Sequence, residues 1–155
     1  MRNYGPIDDF TVFELYPDVQ ITHDNVEHYR ALADKQLVIN RCQDCGYWIY
    51  PHRPLCPECW SWNVKPEEIS GLGTVFMFTL LYQLRDPKSM IHEPVNVAAV
   101  EIAEQKGLRY LARIVNCEPH EIVHDMPVRL TWIEQGNLEW PAFEPIPGLG
   151  AGGRG

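Results

Sequence analysis

Two pairs of cysteines constrain this chain more than any other feature. Each pair has the spacing C-x2-C, and ten residues separate Cys42 and Cys45 from Cys56 and Cys59. Two intervening residues let both thiolates of a pair reach one ion, and four thiolates arranged in this way make the tetrahedral site that zinc prefers. An all-cysteine site leaves no coordination position for water or substrate. The pattern therefore predicts one structural zinc ion.

The residues around the cysteines favour tight metal-binding turns. Gly46 directly follows the first pair and Pro57 lies inside the second, and both residue types are typical of turns. The pairs also look like the iron-binding turns of rubredoxins, so iron electron transfer is an alternative, although rubredoxins place far more chain between them. The fifth cysteine, Cys117, has no partner close in sequence, and we expect it to be a buried residue of a strand.

Composition limits the partners and the location of the chain. The 155 residues contain 21 acidic side chains against 13 Lys and Arg, a formal net charge of -8. Nucleic-acid binding relies heavily on cationic side chains, so no nucleic acid is expected. No apolar run approaches the roughly 18 residues that cross a membrane, and the first ten residues lack the apolar core of a signal peptide. We therefore expect a cytoplasmic protein with no membrane partner.

The chain divides by pattern into four segments of a mainly β protein. They are an N-terminal arm and helix, a zinc ribbon, a small antiparallel barrel and a disordered tail, at residues 1–37, 38–65, 66–147 and 148–155. The helix is predicted between residue 24 and about residue 37, where apolar side chains recur at helical spacing. Asp24 and Glu27 offer a variant of a capping box at its start.

The barrel prediction depends on stretches rich in Val, Ile, Thr and aromatic residues. These stretches lie at residues 73–83, 94–102, 108–116 and 127–135. Gly, Pro and charged residues separate them, and no crossover helix fits between them, so four or five antiparallel strands should form a closed or nearly closed barrel. A short strand is also expected at residues 37–40, whereas residues 60–70 are expected to form a connector that ends in a turn.

The sequence His120 to His124 matches the H-E-x-x-H motif of zinc proteases. That chemistry needs both histidines on one face of a stable helix. Because prolines stand on both sides of the motif, we expect a polar connector in which Ile122 and Val123 pack on the barrel. No other acid, base or nucleophile pattern stands out, so no catalytic residue is predicted.

Five pieces of sequence, in this order, carry a resemblance to a known family. They are RCQDCG, PHRPLCPEC, SGLGTVFMFT, MPVRLTW and WPAFEP, within roughly residues 24 to 146. Together they resemble the zinc-ribbon/OB-fold family catalogued as domain of unknown function 35. Two features depart from the family pattern: Asp125 stands where a glycine is usual, and the first twenty residues match nothing in it.

The resemblance implies an N-terminal helical segment, a rubredoxin-like zinc ribbon and an OB-fold barrel. It also implies an accessory subunit without catalytic residues of its own. Such a subunit binds a thiolase-fold enzyme and helps to bind an acyl-CoA. The partner would be a thiolase or a retro-aldolase, including those that shorten steroid side chains, and a heterotetramer of two plus two subunits would follow its symmetry. The chain would then be a required subunit of an acyl-CoA lyase or thiolase complex.

Cationic and aromatic residues around the ribbon are candidates for contacts with CoA or with the partner. They are Arg41, Trp48, His52, Arg53, Trp60 and Trp62. Packing or surface roles for the same side chains are the simpler alternative. Two other functions stay open: a single-stranded nucleic-acid-binding protein, because OB barrels and zinc ribbons both serve that purpose, and an independent hydrolase or redox protein.

Overall fold

A computed structural model describes residues 7–82 and 94–148 of the chain. The chain forms two compact units, which we call the ribbon unit and the barrel unit. The ribbon unit comprises Met1–Ser70 with Trp132–Pro141, and the barrel unit comprises Gly71–Thr131 with Ala142–Gly155. The predicted class is confirmed, since two short helices accompany eight strands in the described residues. The predicted disordered tail lies outside the described residues, except for Gly148.

The N-terminal arm contains a helix, α1 (Asp9–Leu15), that the sequence did not reveal. Its first turn is capped by Asp8, whose carboxylate accepts hydrogen bonds from the backbone N–H and the hydroxyl of Thr11, at 2.8 and 2.7 Å. Val12 on its inner face is fully buried. The arm is therefore part of the folded ribbon unit.

The predicted helix forms but is shorter than the apolar pattern indicates. This helix, α2, spans Val26–Ala33, and Asn25 rather than Asp24 precedes it. The Asn25 side chain accepts a hydrogen bond from the backbone N–H of Thr22 and caps no helical donor. The predicted capping box is therefore wrong. The helix ends early because Lys35 adopts a left-handed conformation, with φ of 54°.

Three short antiparallel strands make up the ribbon sheet. They are β1 (Val38–Cys42), β2 (Trp48–Ile49) and β3 (Val64–Glu68), in the order β2-β1-β3. β3 lies where the sequence predicted a connector, so that prediction is wrong. Pro66 sits opposite Asn40 in this strand. An edge position tolerates a proline, because its missing N–H faces no further strand.

Five antiparallel strands make up the barrel sheet, in the order β6-β5-β4-β7-β8. They are β4 (Leu72–Leu81), β5 (Val95–Ile102), β6 (Arg109–Ala112), β7 (Pro127–Gln135) and β8 (Leu138–Pro145). The sheet curls: an isolated bridge joins Ile114, just after β6, to Phe143 of β8. The outermost strands are thus brought together, and the resulting half-barrel is consistent with an OB-fold.

The third predicted strand ends sooner than expected because a side chain, and not a neighbouring strand, hydrogen-bonds to the backbone there. The buried amide of Asn96 donates to the carbonyl oxygen of Ile114 at 2.8 Å and accepts from its backbone N–H at 2.7 Å. Both polar backbone groups of Ile114 are thereby satisfied without a ladder to β5. β6 consequently ends at Ala112, and the chain turns toward β8.

The segment between β6 and β7 differs from expectation at two positions. Cys117 is half-buried in a bend rather than buried in a strand. The H-E-x-x-H sequence contains one 3-10 turn, Pro119–Glu121, after which Ile122 is buried as predicted. Val123 is exposed, so its predicted packing on the barrel is wrong. No described helix is long and apolar enough to span a membrane.

Candidate metal centre

The four paired cysteines meet at one point of the ribbon unit. Their four Sγ atoms all lie within 4.8 Å of one another. The Sγ atoms of Cys42 and Cys59 are 3.5 Å apart, and so are those of Cys45 and Cys56. Sulfurs placed about 2.3 Å from a zinc ion at the corners of a tetrahedron are roughly 3.8 Å apart. The separations therefore fit a zinc site and are far too long for disulfide bonds.

The two cysteine pairs lie on turns of the same design. In the first, the N–H of Gly46 donates to the carbonyl of Cys42 at 2.9 Å, and the N–H of Cys42 donates to the carbonyl of Tyr47 at 2.8 Å. In the second, Trp60 donates to Cys56 and Cys56 donates to Ser61, both at 3.0 Å. We call these two turns the first and second knuckle. Their backbone geometry, and not only their spacing, directs both sulfurs of a pair inward.

Backbone hydrogen bonds favour the ionised form of the sulfurs, which is the form that binds a cation. Hydrogen bonds from the backbone of Cys45 and of Asp44 lower the pKa of Cys42 to about 6, because they favour the thiolate. The Cys59 sulfur also accepts a hydrogen bond from the Ser61 amide, but the neighbouring sulfurs and burial together outweigh it and raise the pKa of Cys59. Four sulfurs this close do not all ionise without a positive ion between them. A divalent metal supplies that charge, which is the chemistry of a structural zinc site.

A carboxylate joins the knuckles independently of the sulfurs. Asp44, inside the first knuckle, accepts hydrogen bonds from the hydroxyl of Ser61 and from the amide of Asn63 at 3.0 Å, both just after the second knuckle. These bonds lower the pKa of Asp44, with the Ser61 contact as the larger cause. The segment between Trp60 and Asn63 is therefore held in place on both sides of Trp62.

The knuckles differ at one position in a way that costs energy. Gly46 and Trp60 occupy equivalent places, and both have left-handed backbones, with φ of 80° and 61°. Glycine adopts this conformation freely, whereas a residue with a Cβ loses roughly 1–2 kcal/mol. The Trp60 side chain is nonetheless 75% exposed, and Trp62 is 73% exposed. Among the described residues, burial of the Trp60 indole therefore does not offset this strain.

Two of the six candidate contact residues are engaged within the ribbon. The guanidinium of Arg41 donates to Glu67 at 2.9 Å and to the carbonyl of Gly46 at 3.1 Å. It also lies 5.0 Å from the ring centre of Trp48, which is buried. These contacts give Arg41 and Trp48 a packing role. Their predicted contact with CoA or a partner stays a prediction.

The other two candidates, His52 and Arg53, are neighbours with different surroundings. The ring of His52 lies 4.6 Å from that of His28 and 5.3 Å from that of Tyr50. Its Nε2 atom is buried without a hydrogen-bond partner in the described structure. Burial lowers the pKa of His52 to about 4, and the adjacent His28 adds to the effect. Arg53, in contrast, is exposed. The packing of His52 against α2 was not visible in the sequence.

Comparisons with known proteins match the chain from the end of α2 into the barrel. Residues 30–64 match the family model described as ChsH2, rubredoxin-like zinc ribbon domain. Residues 66–132 match the ChsH2, C-terminal OB-fold domain. The chain belongs to the ChsH2/DUF35 family. In a member of this family, the clustered cysteines are a zinc ribbon, so the predicted zinc cofactor and the suspected family are both confirmed.

Relatives of this ChsH2/DUF35 chain are named either as scaffold proteins or as enzyme subunits. A DUF35 domain-containing scaffold protein from Pyrococcus furiosus is 32% identical over 106 residues, which cover 66% of this chain and 74% of that protein. A probable enoyl-CoA hydratase alpha subunit from Thermomonospora curvata is 33% identical over 132 residues, 84% of this chain. The match covers only 40% of the length of that subunit.

A solved structure matches most of this chain. A chain of the structure titled Ltp2-ChsH2(DUF35) aldolase superposes with a TM-score of 0.72 at 33% sequence identity. The match covers 82% of this chain and 98% of that one. The likeness therefore includes nearly all of a chain from a named aldolase structure.

Proposed function

We propose that this chain is an accessory subunit that binds a thiolase-fold enzyme and completes its acyl-CoA site. The observation that carries this proposal is the match to 98% of a chain in the Ltp2-ChsH2(DUF35) aldolase structure. The scaffold name of one relative and the alpha-subunit name of another support a role beside a partner chain. The reaction of the complex would be the cleavage or condensation of a CoA thioester.

The chemistry of this chain supports a role in assembly, with the reacting groups on the partner. Four thiolates fill the coordination positions of a zinc ion, so the metal would hold the ribbon without activating water. In residues 7–82 and 94–148, the four cysteines form the one group of three or more His, Cys, Asp or Glu side chains close enough to hold a metal. The Nδ1 atom of His124 contacts the carbonyl oxygen of Phe76 at 3.0 Å, and His120 is exposed. The H-E-x-x-H sequence therefore has no assembled hydrolytic site.

The exposed members of the candidate set would serve the complex. Arg53 is an exposed cation suited to a phosphate of CoA, and Trp60 and Trp62 are suited to an interface. We propose two copies of each subunit in the complex and a cytoplasmic location, which agrees with cysteines that bind a metal rather than form disulfides. A steroid side-chain CoA ester and a linear acyl-CoA are both candidate substrates.

Co-expression tests this function directly. The tagged chain is expressed with the thiolase-like enzyme encoded nearest to it, and the eluate is analysed by sizing chromatography with zinc analysis. We expect one stable complex with one zinc ion per copy, and cleavage or condensation of a CoA thioester that neither chain achieves alone. An unrelated thiolase is the control. A zinc-loaded chain that elutes alone beside its own partner would contradict the proposal.

A further inference from the structure

The second knuckle presents an indole at a place where the backbone favours glycine. Trp60 takes the left-handed conformation that Gly46 takes in the first knuckle, and its side chain points into solvent. Trp62, two residues later, is equally exposed. Tryptophans dominate the binding energy of protein interfaces because they bury a large area with few rotatable bonds. Two of them on one short segment mark this surface as a contact for another molecule.

The segment that carries the indoles is already rigid. Between and beyond the two tryptophans, Ser61 and Asn63 both hydrogen-bond to Asp44. The backbone N–H of Val64 donates to the carbonyl of Trp62 at 2.9 Å. A surface held in its binding conformation loses little entropy when a partner binds. Exposure of these indoles is therefore not the result of a loose loop.

Charge identifies the kind of partner. A groove of about 650 Å³ runs beside Trp62, and among the residues that the structure describes its lining includes Asp9, Asp24 and Glu27 but no Lys or Arg. Arg30 pairs with Asp9 and Glu27 from outside the lining, and one guanidinium leaves negative charge in excess. His23 lies 3.6 Å from the Asp24 carboxylate. The anionic phosphates of CoA would be repelled here, whereas a guanidinium stacks on an indole and pairs with a carboxylate.

We propose that Trp60, Trp62 and the acidic groove bind a positively charged segment of the partner enzyme, and that CoA binds elsewhere. This inference rests on the proposed function, because it names the surface through which the accessory subunit holds its partner. An arginine or lysine of the partner enters the groove beside Trp62, and apolar partner residues cover the indole of Trp60. The net charge of -8 on this chain favours the same encounter at long range.

Trp60→Gly separates a binding role from a folding role. Glycine relieves the left-handed strain, so the zinc-loaded variant should unfold at the same temperature as the natural chain or at a higher one. Its affinity for the partner should fall at least tenfold, as expected for an anchor residue. Trp62→Ala should keep zinc and lose affinity to a similar degree. If Trp60→Gly destabilises the lone chain, or binds the partner as well as the natural chain does, the inference is wrong.

Asp24→Asn tests the charge. The dissociation constant is measured by biolayer interferometry at 50 and 500 mM salt. We expect a loss of about three- to tenfold at low salt and a smaller one at high salt, because screening removes the attraction in both proteins. The matched control is Leu111→Ala on the barrel, 63% exposed, which should bind within twofold of the natural chain.

Free coenzyme A serves as a competitor in the same assay. It should not weaken the affinity of the two proteins, because CoA at a site completed by both chains can only favour their association, and displacement of the partner from this surface by CoA would overturn the inference. A natural chain that fails to bind the partner at all contradicts the proposed function itself. A natural chain that binds, with Trp60→Gly, Trp62→Ala and Asp24→Asn all equal to it, contradicts only the assignment of this surface.

Discussion

The zinc ribbon and the OB barrel are stabilised by different kinds of interaction. Around the metal centre, Cys42, Ile49 and Cys56 form a small buried cluster, helped by the half-buried Tyr47 and Val64. The barrel unit instead buries large side chains along every strand of its sheet, and those of Val75, Val100, Ile102, Val128 and Phe143 are almost completely buried. The comparison teaches that the ribbon depends on a few metal bonds, whereas the barrel depends on many apolar contacts.

Removal of one zinc ligand should have the largest effect. In Cys42→Ser, three sulfurs remain, and structural zinc contributes on the order of 10 kcal/mol to the folding of small zinc modules. We expect loss of zinc, measured by mass spectrometry of the metal, and loss of the hydrogen-exchange protection of β1 to β3. The barrel strands outside Trp132–Pro141 should stay protected, because the barrel unit contains no metal ligand.

Cys117→Ser is the matched control for that experiment. Cys117 lies in the barrel unit, outside the sulfur cluster. Full zinc content and an unchanged exchange pattern are expected. If Cys42→Ser kept a protected ribbon without metal, the distinction between the two regions would disappear.

A cavity in the barrel should have the next largest effect. Phe143 is fully buried, and its replacement by alanine removes an aromatic ring from a packed core. Phe143→Ala should lower the free energy of unfolding by about 3–5 kcal/mol, measured by urea denaturation. Zinc should remain bound to any folded ribbon. Leu111→Ala, on the exposed face, should change stability by less than about 1 kcal/mol.

Acid should destabilise the ribbon unit more than the barrel unit. Burial lowers the pKa of His52 to about 4 and also lowers the pKa of His28. Unfolded histidines bind a proton near pH 6.5, so the unfolded state gains protons first as the pH falls. Stability is complete above pH 6.5 and decreases toward pH 4. For His52 the loss should reach about 2 kcal/mol at pH 5.

His52→Phe isolates this contribution. Thiolate protonation also weakens zinc binding in acid, so both proteins are unfolded in saturating zinc between pH 7.5 and 5. The variant keeps an aromatic ring at this position but removes its titration, and the difference in stability between the two proteins should shift in favour of the variant as the pH falls. Parallel curves for the two proteins would show that the buried imidazole does not control the acid sensitivity.

Asp125→Gly should have the smallest effect. Asp125 has φ of 61°, a conformation that glycine adopts freely, and its N–H donates to the carbonyl of Val75 at 2.8 Å. Relief of the left-handed strain should stabilise the barrel by up to about 1 kcal/mol, measured by urea denaturation. In Asn116→Gly, at φ of 58°, the same relief is offset by loss of a hydrogen bond to Glu144. A destabilised Asp125→Gly would show that the aspartate side chain has a role of its own.

The parts that the sequence predicted well are those in which residue type determines geometry. Cysteine spacing is enough to specify a metal site, because only a tight turn brings both sulfurs of a pair together. The long barrel strands were visible because β-branched and aromatic residues persist over their whole length. β3 was missed because Val64 to Glu68 contains a proline and three charged residues. Pairing with β1, which lies far away in sequence, creates that strand.

The site was less predictable where contacts between residues distant in sequence determine the structure. The seven-residue α1 had no readable period, although the cap between Asp8 and Thr11 is a local signal that could have indicated it. Nothing in the sequence places His52 against His28, since helix packing brings them together. The strain at Trp60 could have been inferred, because alignment of the two knuckles puts it opposite Gly46.

The hydrogen bonds of Asp44 to Ser61 and Asn63 have a consequence for chain entropy. The ten residues between Cys45 and Cys56 form a loop whose ends must meet before four sulfurs can surround one ion, and closing any loop costs conformational freedom. Asp44 brings the two knuckles together through oxygen and nitrogen atoms, with no participation of the sulfurs. These hydrogen bonds therefore offset part of the conformational entropy that is lost when the loop closes. The metal ion then has to order only the four sulfurs, because the ends of the loop are already close together.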